Sequence, residues 1–264
     1  MSRIRQTFNA LGGNKALIPY ITVGDPDTRT TLALMHSMAA NGADLIELGV
    51  PFSDPMADGP TIQRAAERAL AQGVSLKDVL AVVHEFRQTN QTTPVVLMGY
   101  LNPVHKMGYA EFARAAAEAG VDGVLTVDSP VETIAPLHDA LRQNGLDCIF
   151  LVAPTTGEAR MAAIGKLASG FVYYVSLKGV TGSAQLDTEA VSRKIELLRK
   201  YTALPIGVGF GISNAESARK IAAVADAAIV GSRIVQEIEN NAGREAQAVG
   251  ALVKQLKDAV AQAV

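Results

Sequence analysis

Short apolar runs alternate along the chain with longer segments whose apolar residues recur at helical spacing. Eight of the runs are apolar at nearly every position, as expected of strands that are buried on both faces of a sheet. Such strands are typical of parallel sheets, in which helices cover both faces. The pattern predicts strands over residues 17–23, 44–49, 94–100, 123–127, 148–152, 171–175, 205–209 and 227–230.

The intervening segments predict helices between successive strands. The interval after the second strand is longer than the others and holds two helices. Two further helices are predicted at the ends of the chain, over 3–11 and 244–260. The helices between strands are predicted over residues 28–41, 61–72, 76–89, 109–118, 131–143, 158–167, 188–201 and 214–224.

Glycine and proline mark the junctions of this repeated unit. Gly120 and Gly145 follow helical segments, as a left-handed helix cap requires, and Pro51 and Pro130 follow strands because proline cannot donate to a sheet ladder. Eight alternating units predict an α/β fold, a single (β/α)₈ TIM barrel domain over residues 1–264. Its extra helices lie at the N-terminus, after strand two and at the C-terminus. An open doubly wound sheet is the alternative, although it usually has fewer strands.

Composition and charge change this picture little. The 264 residues carry 24 basic and 26 acidic side chains, so the net charge of −2 gives no electrostatic reason to expect nucleic acid or an anionic membrane as a partner. The first residues lack the apolar core of a signal peptide, and no apolar run approaches the length of a membrane span. The expectation is a cytoplasmic protein. The single cysteine, Cys148, lies in an apolar run and is expected to be a buried small hydrophobe.

The segment from Glu47 to Thr61 holds the clearest candidate chemistry. Glu47 lies inside the apolar run of residues 45–50, near its end, and an ionisable group there is costly unless it has a task. Where a barrel strand feeds a loop, such a group faces the active-site mouth, and burial raises its pKa toward neutral values. Asp58 lies in the following loop on the same side. Asp58 alone is equally typical of a helix N-cap with Pro60 in the first turn.

Glycines after the last two strands indicate a phosphate site. Gly211 follows strand seven, and Gly231 and Ser232 follow strand eight at the start of a helix. Glycine lets backbone N–H groups close on oxygen atoms, and a helix N-terminus favours an anion. Plain turns are the alternative. The loops after strands seven and eight are the usual phosphate site of a TIM barrel.

The loop after strand six, residues 176–183, is rich in glycine and is as typical of a mobile lid as of an ordinary surface loop. Lys178 in this loop raises the alternative of a Schiff-base aldolase, although a lysine beyond the strand end is expected to be solvated. The four histidines show no metal-ligand spacing, and with a single cysteine the sequence predicts no metal site.

Five segments together resemble the α subunit of tryptophan synthase, in order and over essentially the whole chain. The resemblance implies a (β/α)₈ barrel that splits indole-3-glycerol phosphate into indole and glyceraldehyde 3-phosphate. It also implies a β-subunit partner in an α2β2 complex, which receives indole and joins it to serine. Pyridoxal phosphate is expected only in that partner, and no cofactor in this chain. The segments are ITVGDPD (21–27), GADLIELGVPFSDPMADGPTIQRA (42–65), LMGYLNPV (97–104), SLKGVTG (176–182) and GFGIS (209–213).

The resemblance also implies residue roles. Glu47 and Asp58 match the two catalytic acids of the family, and Tyr173 matches the tyrosine near them. The loop beside the acids suits a docking surface for the partner, with Pro51, Asp54 and Met56 as its expected contacts. The remaining matches are pocket or lid positions, Tyr20, Tyr100 and Thr181, and the phosphate cradle, Gly182, Gly211, Gly231 and Ser232.

The chemistry suits this assignment. A carboxyl group with a raised pKa, Glu47, can protonate the indole ring carbon, while ionised Asp58 accepts the ring N–H and stabilises the positive charge. The alternatives are the aldolase based on Lys178 and a non-catalytic barrel that binds a phosphorylated ligand and regulates a partner.

Overall fold

The computed structural model describes residues 2–175, 188–209 and 211–263. Within these ranges, eight parallel strands pair in sequence order and close into a barrel, with the last strand beside the first. The closed order excludes the open doubly wound sheet, in which two edge strands stay unpaired. The strands are β1 (Ala16–Thr22), β2 (Ile46–Gly49), β3 (Val95–Gly99), β4 (Gly123–Thr126), β5 (Asp147–Val152), β6 (Val172–Val175), β7 (Ile206–Gly209) and β8 (Ala227–Val230).

Helices surround this barrel and cover the outer face of its sheet, while the inner face encloses the barrel interior. The described residues form α1 (Arg3–Leu11), α2 (Thr28–Ala40), α3 (Pro60–Ala71), α4 (Leu76–Arg87), α5 (Leu101–Met107), α6 (Tyr109–Ala119), α7 (Ala135–Gln143), α8 (Glu158–Leu167), α9 (Thr188–Leu198), α10 (Ala215–Ala222), α11 (Ser232–Asn240) and α12 (Glu245–Ala261). In the described ranges, none of them is both long and apolar enough to cross a bilayer.

The predicted barrel and its extra helices are confirmed, whereas the start of one helix was predicted wrongly and one short helix was not predicted. The helix predicted to begin at residue 131 begins at Ala135 instead. The N–H groups of Thr133 and Ile134 both donate to the Pro130 carbonyl in a preceding turn. Helix α5 was not predicted because it is only seven residues long and begins two residues after β3. The backbone N–H groups of the first helical turn have no partner within the helix. Proline has no N–H group, so Pro103 fits in this turn.

The barrel interior is packed at its N-terminal end and opens at the other. Ile4 and Phe8 of α1 lie under the barrel, where the Phe8 and Phe171 rings have centroids 6.3 Å apart. Inward residues at the strand starts, such as Ile18 and Ile229, fill the layer above them. Because α1 closes this end, a ligand can reach the interior only from the carboxyl ends of the strands.

A buried ionic network stabilises the closed end. The Asp122 carboxylate precedes β4 and accepts from Arg87 at 2.7 Å and from Arg3 at 2.8 Å, while the Val95 N–H donates to it at 2.8 Å. The Arg87 side chain is only 6% exposed and also donates to the Gly120 carbonyl. The charges of this network are therefore paired and hydrogen-bonded, which a buried ion requires.

Candidate active site

Glu47 is a buried carboxyl group at the open end of the barrel. It lies in β2 with 1% of its surface exposed, and neither carboxyl oxygen has a hydrogen-bond partner among the described residues. Burial raises the pKa of Glu47 to about 8, and the nearby charge of Asp58 adds to the rise. At neutral pH the group is therefore mostly a neutral acid, as a proton donor must be.

Asp58 lies in the loop between β2 and α3, and Tyr100 positions its side chain. The Tyr100 hydroxyl donates to Asp58 Oδ2 at 3.1 Å and accepts from the Ala57 N–H at 3.0 Å. Burial raises the pKa of Asp58, whereas the hydrogen bond from Tyr100 lowers it by favouring the ionised form. The N-cap of α3 is Gly59, without a side-chain cap, so the alternative of Asp58 as the capping residue is wrong.

Tyr173 points from β6 into the same space. A methyl group on Gly209 of β7 would come within 2.1 Å of its hydroxyl oxygen, so the missing side chain at Gly209 provides the room for the phenol. Burial raises the pKa of Tyr173 well above its ordinary value, and the charge of Glu47 is the next cause. Tyr173 therefore keeps its proton beside Glu47.

Tyr20 reaches into the pocket from β1 across Gly49 of β2. A Cβ atom on Gly49 would lie 2.0 Å from its hydroxyl oxygen, which shares a 3.2 Å hydrogen bond with Thr22. Burial raises the pKa of Tyr20, followed by the charge of Asp58. A Cβ on Gly231 would lie 3.6 Å from the ring, so Tyr20 also borders the predicted phosphate cradle.

The glycine pair of the predicted cradle lies after β7 and β8. Gly211 has a φ of +80°, a conformation that favours glycine, and Gly231 is the N-cap of α11 just before Ser232. No described side chain caps the start of α11. In contrast, Asn214 and Ser217 cap α10 in a reciprocal pair. The N–H groups of Ser232 and Arg233, which precede the first bonds to the Gly231 carbonyl, are thus placed to bind an anion.

Three sequence-based assignments fall on the loop after β6. Thr181, Gly182 and Lys178 lie outside the described residues, so their predicted roles stay predictions. Among the described residues, no cluster of three His, Cys, Asp or Glu side chains could hold a metal ion.

The three residues predicted to contact a partner differ in exposure. Asp54 and Met56 are exposed, and Met56 shows 82% of its surface, an unusual state for a large apolar side chain. Pro51, two residues after the end of β2, is instead buried by its own chain, and its role as a partner contact stays a prediction.

The pattern did not indicate Phe52 as part of the site. Its ring stacks on Tyr100 with centroids 5.1 Å apart and an interplanar angle of 29°. Phe52 therefore holds the tyrosine that positions Asp58. An aromatic residue in a loop of small residues and prolines, five residues after Glu47, was the available signal.

Comparisons with known proteins agree with this geometry. Residues 8–264 match the family described as Tryptophan synthase alpha chain. The alpha chain of Neisseria meningitidis serogroup A is 77% identical over 260 residues, covering 98% of this chain and 100% of that one. The Chromobacterium violaceum alpha chain is 61% identical over 261 residues, with coverages of 98% and 100%.

Solved structures give the same result. The tryptophan synthase subunit alpha of Legionella pneumophila str. Paris superposes with a TM-score of 0.92 at 43% identity, covering 98% of each chain. An aminoacrylate-bound tryptophan synthase from M. tuberculosis gives 0.88 at 35% identity, covering 98% of this chain and 100% of that one. This chain belongs to the tryptophan synthase alpha chain family, and it is a lyase that carries out the α reaction of tryptophan biosynthesis.

Proposed function

We propose that Glu47 and Asp58 carry out the α reaction, the cleavage of indole-3-glycerol phosphate into indole and glyceraldehyde 3-phosphate. The observation that carries this proposal is the state of Glu47, a buried carboxyl group without a described hydrogen-bond partner, with a pKa of about 8. Asp58, beside it and less buried, is bonded to Tyr100 in a way that favours its ionised form. Two carboxyl groups with different environments can serve as acid and as anion.

The first step is protonation of the indole ring. Glu47 gives its proton to ring carbon C3, a new C–H bond forms, and the positive charge moves to the ring nitrogen. Ionised Asp58 accepts a hydrogen bond from the ring N–H and stabilises this charge. An anion placed where charge develops lowers the barrier most when it is already in position, and Tyr100 provides that placement.

The second step breaks the carbon–carbon bond. Glu47, now a carboxylate, takes the proton from the hydroxyl group on the carbon attached to C3. The C=O bond of the aldehyde forms, the bond to C3 breaks, and its electron pair returns to the ring and neutralises the nitrogen. Glu47 ends protonated, so the cycle consumes no external proton. Each acid–base contribution is typically ~10²–10⁴-fold.

Tyrosines and glycines position the substrate. The neutral phenol of Tyr173 lies beside Glu47 and orients the reacting end, while Tyr20 and Tyr100 line the ring pocket.

Gly211 and the α11 terminus at Gly231 and Ser232 bind the phosphate, a use supported by the uncapped start of α11. Thr181 and Gly182 complete this proposed set from outside the described residues.

Substitution of Glu47 tests this assignment. Glu47→Gln keeps the shape and neutrality of the side chain but has no proton to give at C3. We expect indole release to fall by at least ~10³-fold while binding of indole-3-glycerol phosphate stays within about threefold, because Gln mimics the neutral acid. Retained turnover would remove Glu47 from the mechanism.

We propose an α2β2 complex as the working assembly, with pyridoxal phosphate held only by the β subunit. The exposed Met56 and Asp54, in the loop that also carries Asp58, support a docking surface next to the site. Removing the apolar contact with Met56→Ser is expected to weaken β-subunit binding. Because Met56 is 82% exposed, indole release by the isolated chain should not change.

A further inference from the structure

Three elements that carry proposed site residues meet at one corner of the open rim. β1 contains Tyr20, α3 begins two residues after Asp58, and α11 begins at Ser232. Ala65 of α3 and Val235 of α11 form a small buried cluster with Tyr20. The corner therefore links the acid-bearing loop, the pocket wall and the proposed phosphate site.

A charged clamp joins the same three elements outside this cluster. Asp25 follows β1 and is 1% exposed, and both of its carboxylate oxygens accept from Arg68 of α3, from Nε at 2.7 Å and from Nη2 at 2.8 Å. The remaining Arg68 nitrogen, Nη1, donates to Glu239 of α11 at 3.1 Å. We call these three residues the rim clamp.

The rim clamp fixes the orientation of the Arg68 side chain as well as its distances to Asp25 and Glu239. A bidentate pair between a planar guanidinium and a carboxylate allows little rotation, and the buried Asp25 charge depends on it. All three guanidinium nitrogens of Arg68 are engaged by Asp25 and Glu239. Arg64, one turn earlier on α3, bonds only Glu239 and is more exposed, at 48% against 34% for Arg68.

We propose that Arg68, in the last turn of α3, is a positioning residue for the α reaction. Through Glu239 near the end of α11 it fixes how the two helices lie against each other, and thereby the separation between the phosphate-binding start of α11 and the Asp58 loop before α3. This inference depends on the proposed function, because a substrate held at both ends needs a fixed span between them. If the span relaxes, the phosphate end still binds but the ring is displaced from Glu47 and Asp58. A displacement of about 1 Å can cost ~10²-fold in rate without a similar loss of binding.

The experiment compares two variants that open the clamp from opposite sides with a matched control. Arg68→Met keeps the aliphatic length and removes the fork. Arg68→Met leaves the buried Asp25 carboxylate without this partner, which can prevent folding. Asp25→Asn avoids that problem because it removes the charge itself, so it still tests the clamp. Arg64→Met is the control for the Asp25–Arg68 pair, since it makes the same change one turn away, removes only exposed bonds to Glu239 and leaves Asp25 paired. The measurements are kcat and KM for indole release by the full chain, per mole of folded enzyme.

We expect Arg68→Met and Asp25→Asn to lower kcat by roughly tenfold or more while KM stays within about threefold. Arg64→Met should change neither by more than about twofold. A merely structural clamp predicts a lower thermal midpoint with unchanged kcat per folded molecule. That result, or an equal loss of kcat in Arg64→Met, would overturn the proposal.

The outcome is separable from that of the proposed function. If Glu47→Gln retained turnover, the acid assignment would fail whatever Arg68 does. If Glu47→Gln is inactive and the clamp variants keep the wild-type kcat, only the positioning role fails.

Discussion

The Tyr100 hydroxyl bonds Asp58 Oδ2 at 3.1 Å and the N–H of the residue before it, Ala57, at 3.0 Å. One side chain thus holds both the backbone and the carboxylate of the loop that carries the second acid. The Phe52 ring, stacked on Tyr100, fixes the phenol from the side of the exposed loop. The residue that follows β3 therefore fixes the loop after β2 that carries Asp58.

Removal of the Tyr100 hydroxyl should shift the pH dependence of the reaction. The hydrogen bond lowers the pKa of Asp58, so Tyr100→Phe raises it and Asp58 takes up a proton at higher pH. We expect the acid limb of the kcat/KM profile to move to higher pH, with a loss of roughly tenfold at neutral pH. Tyr109→Phe, which removes a hydroxyl bonded to His105 on the outer helices, is the control and should leave the profile unchanged.

The pKa of Glu47 predicts how stability depends on pH. The folded chain holds this proton up to about pH 8, whereas an unfolded glutamate loses it near 4.5. The native state therefore binds more protons in this window, and this carboxyl costs stability progressively as pH rises from about 4.5 to 8.

Glu47→Gln removes that cost. The variant should be more stable than the wild type at pH 9, by on the order of a few kcal/mol, and nearly equal to it at pH 4. Denaturant unfolding at several pH values measures the difference. A stability gap that does not change with pH would contradict the raised pKa.

Gly209 should not tolerate a side chain. An alanine Cβ would lie 2.1 Å from the Tyr173 hydroxyl oxygen and 2.6 Å from its ring carbon, so the phenol must move away from Glu47. We expect Gly209→Ala to cost roughly 1–3 kcal/mol and to lower kcat by more than tenfold. Gly157→Ala, at a position with open space around the new methyl group, is the control for both measurements.

The closed end of the barrel should affect stability without affecting catalysis. Arg87→Met removes the 2.7 Å bond to the buried Asp122, although Arg3 still contacts that carboxylate. Loss of one partner of a buried pair predicts destabilisation of roughly 3 kcal/mol, at the lower end because Arg3 remains. Arg114→Met, which breaks only exposed pairs, should cost less than about 1 kcal/mol. Lower kcat per folded molecule in Arg87→Met would show that the two ends are coupled.

The sequence predicts the barrel well because each unit repeats one local pattern. Buried parallel strands are apolar throughout, and helices show their own period, so all eight strands were found within about two residues of their observed bounds. Glu47 was found for the same reason, since a charge inside such a run stands out. The start of α7 was wrong because Pro130 and Pro136 shift the first helical turn, an effect that apolar spacing does not report.

The pattern of apolar and polar positions does not predict contacts between residues that are far apart in the sequence. Asp58 and Tyr100 are 42 positions apart, and Asp25 and Arg68 are 43 apart. Only the parallel pairing of neighbouring strands, β1 with β2 and β2 with β3, brings such pairs together at one edge of the sheet. Likewise, the match between Gly209 and Tyr173 depends on the register of β6 and β7, in which Val175 lies beside Gly209. Composition near each residue carries no information about these partners.

The protonation state of Glu47 tests the central claim most directly. Infrared difference spectra between the wild type and Glu47→Gln, recorded across pH, isolate the carboxyl signal of this one residue. We predict a protonated carboxylic acid at pH 7 that titrates with a midpoint of about 8. A carboxylate already formed at pH 7, with a midpoint near 4.5, would contradict the role of Glu47 as the proton donor.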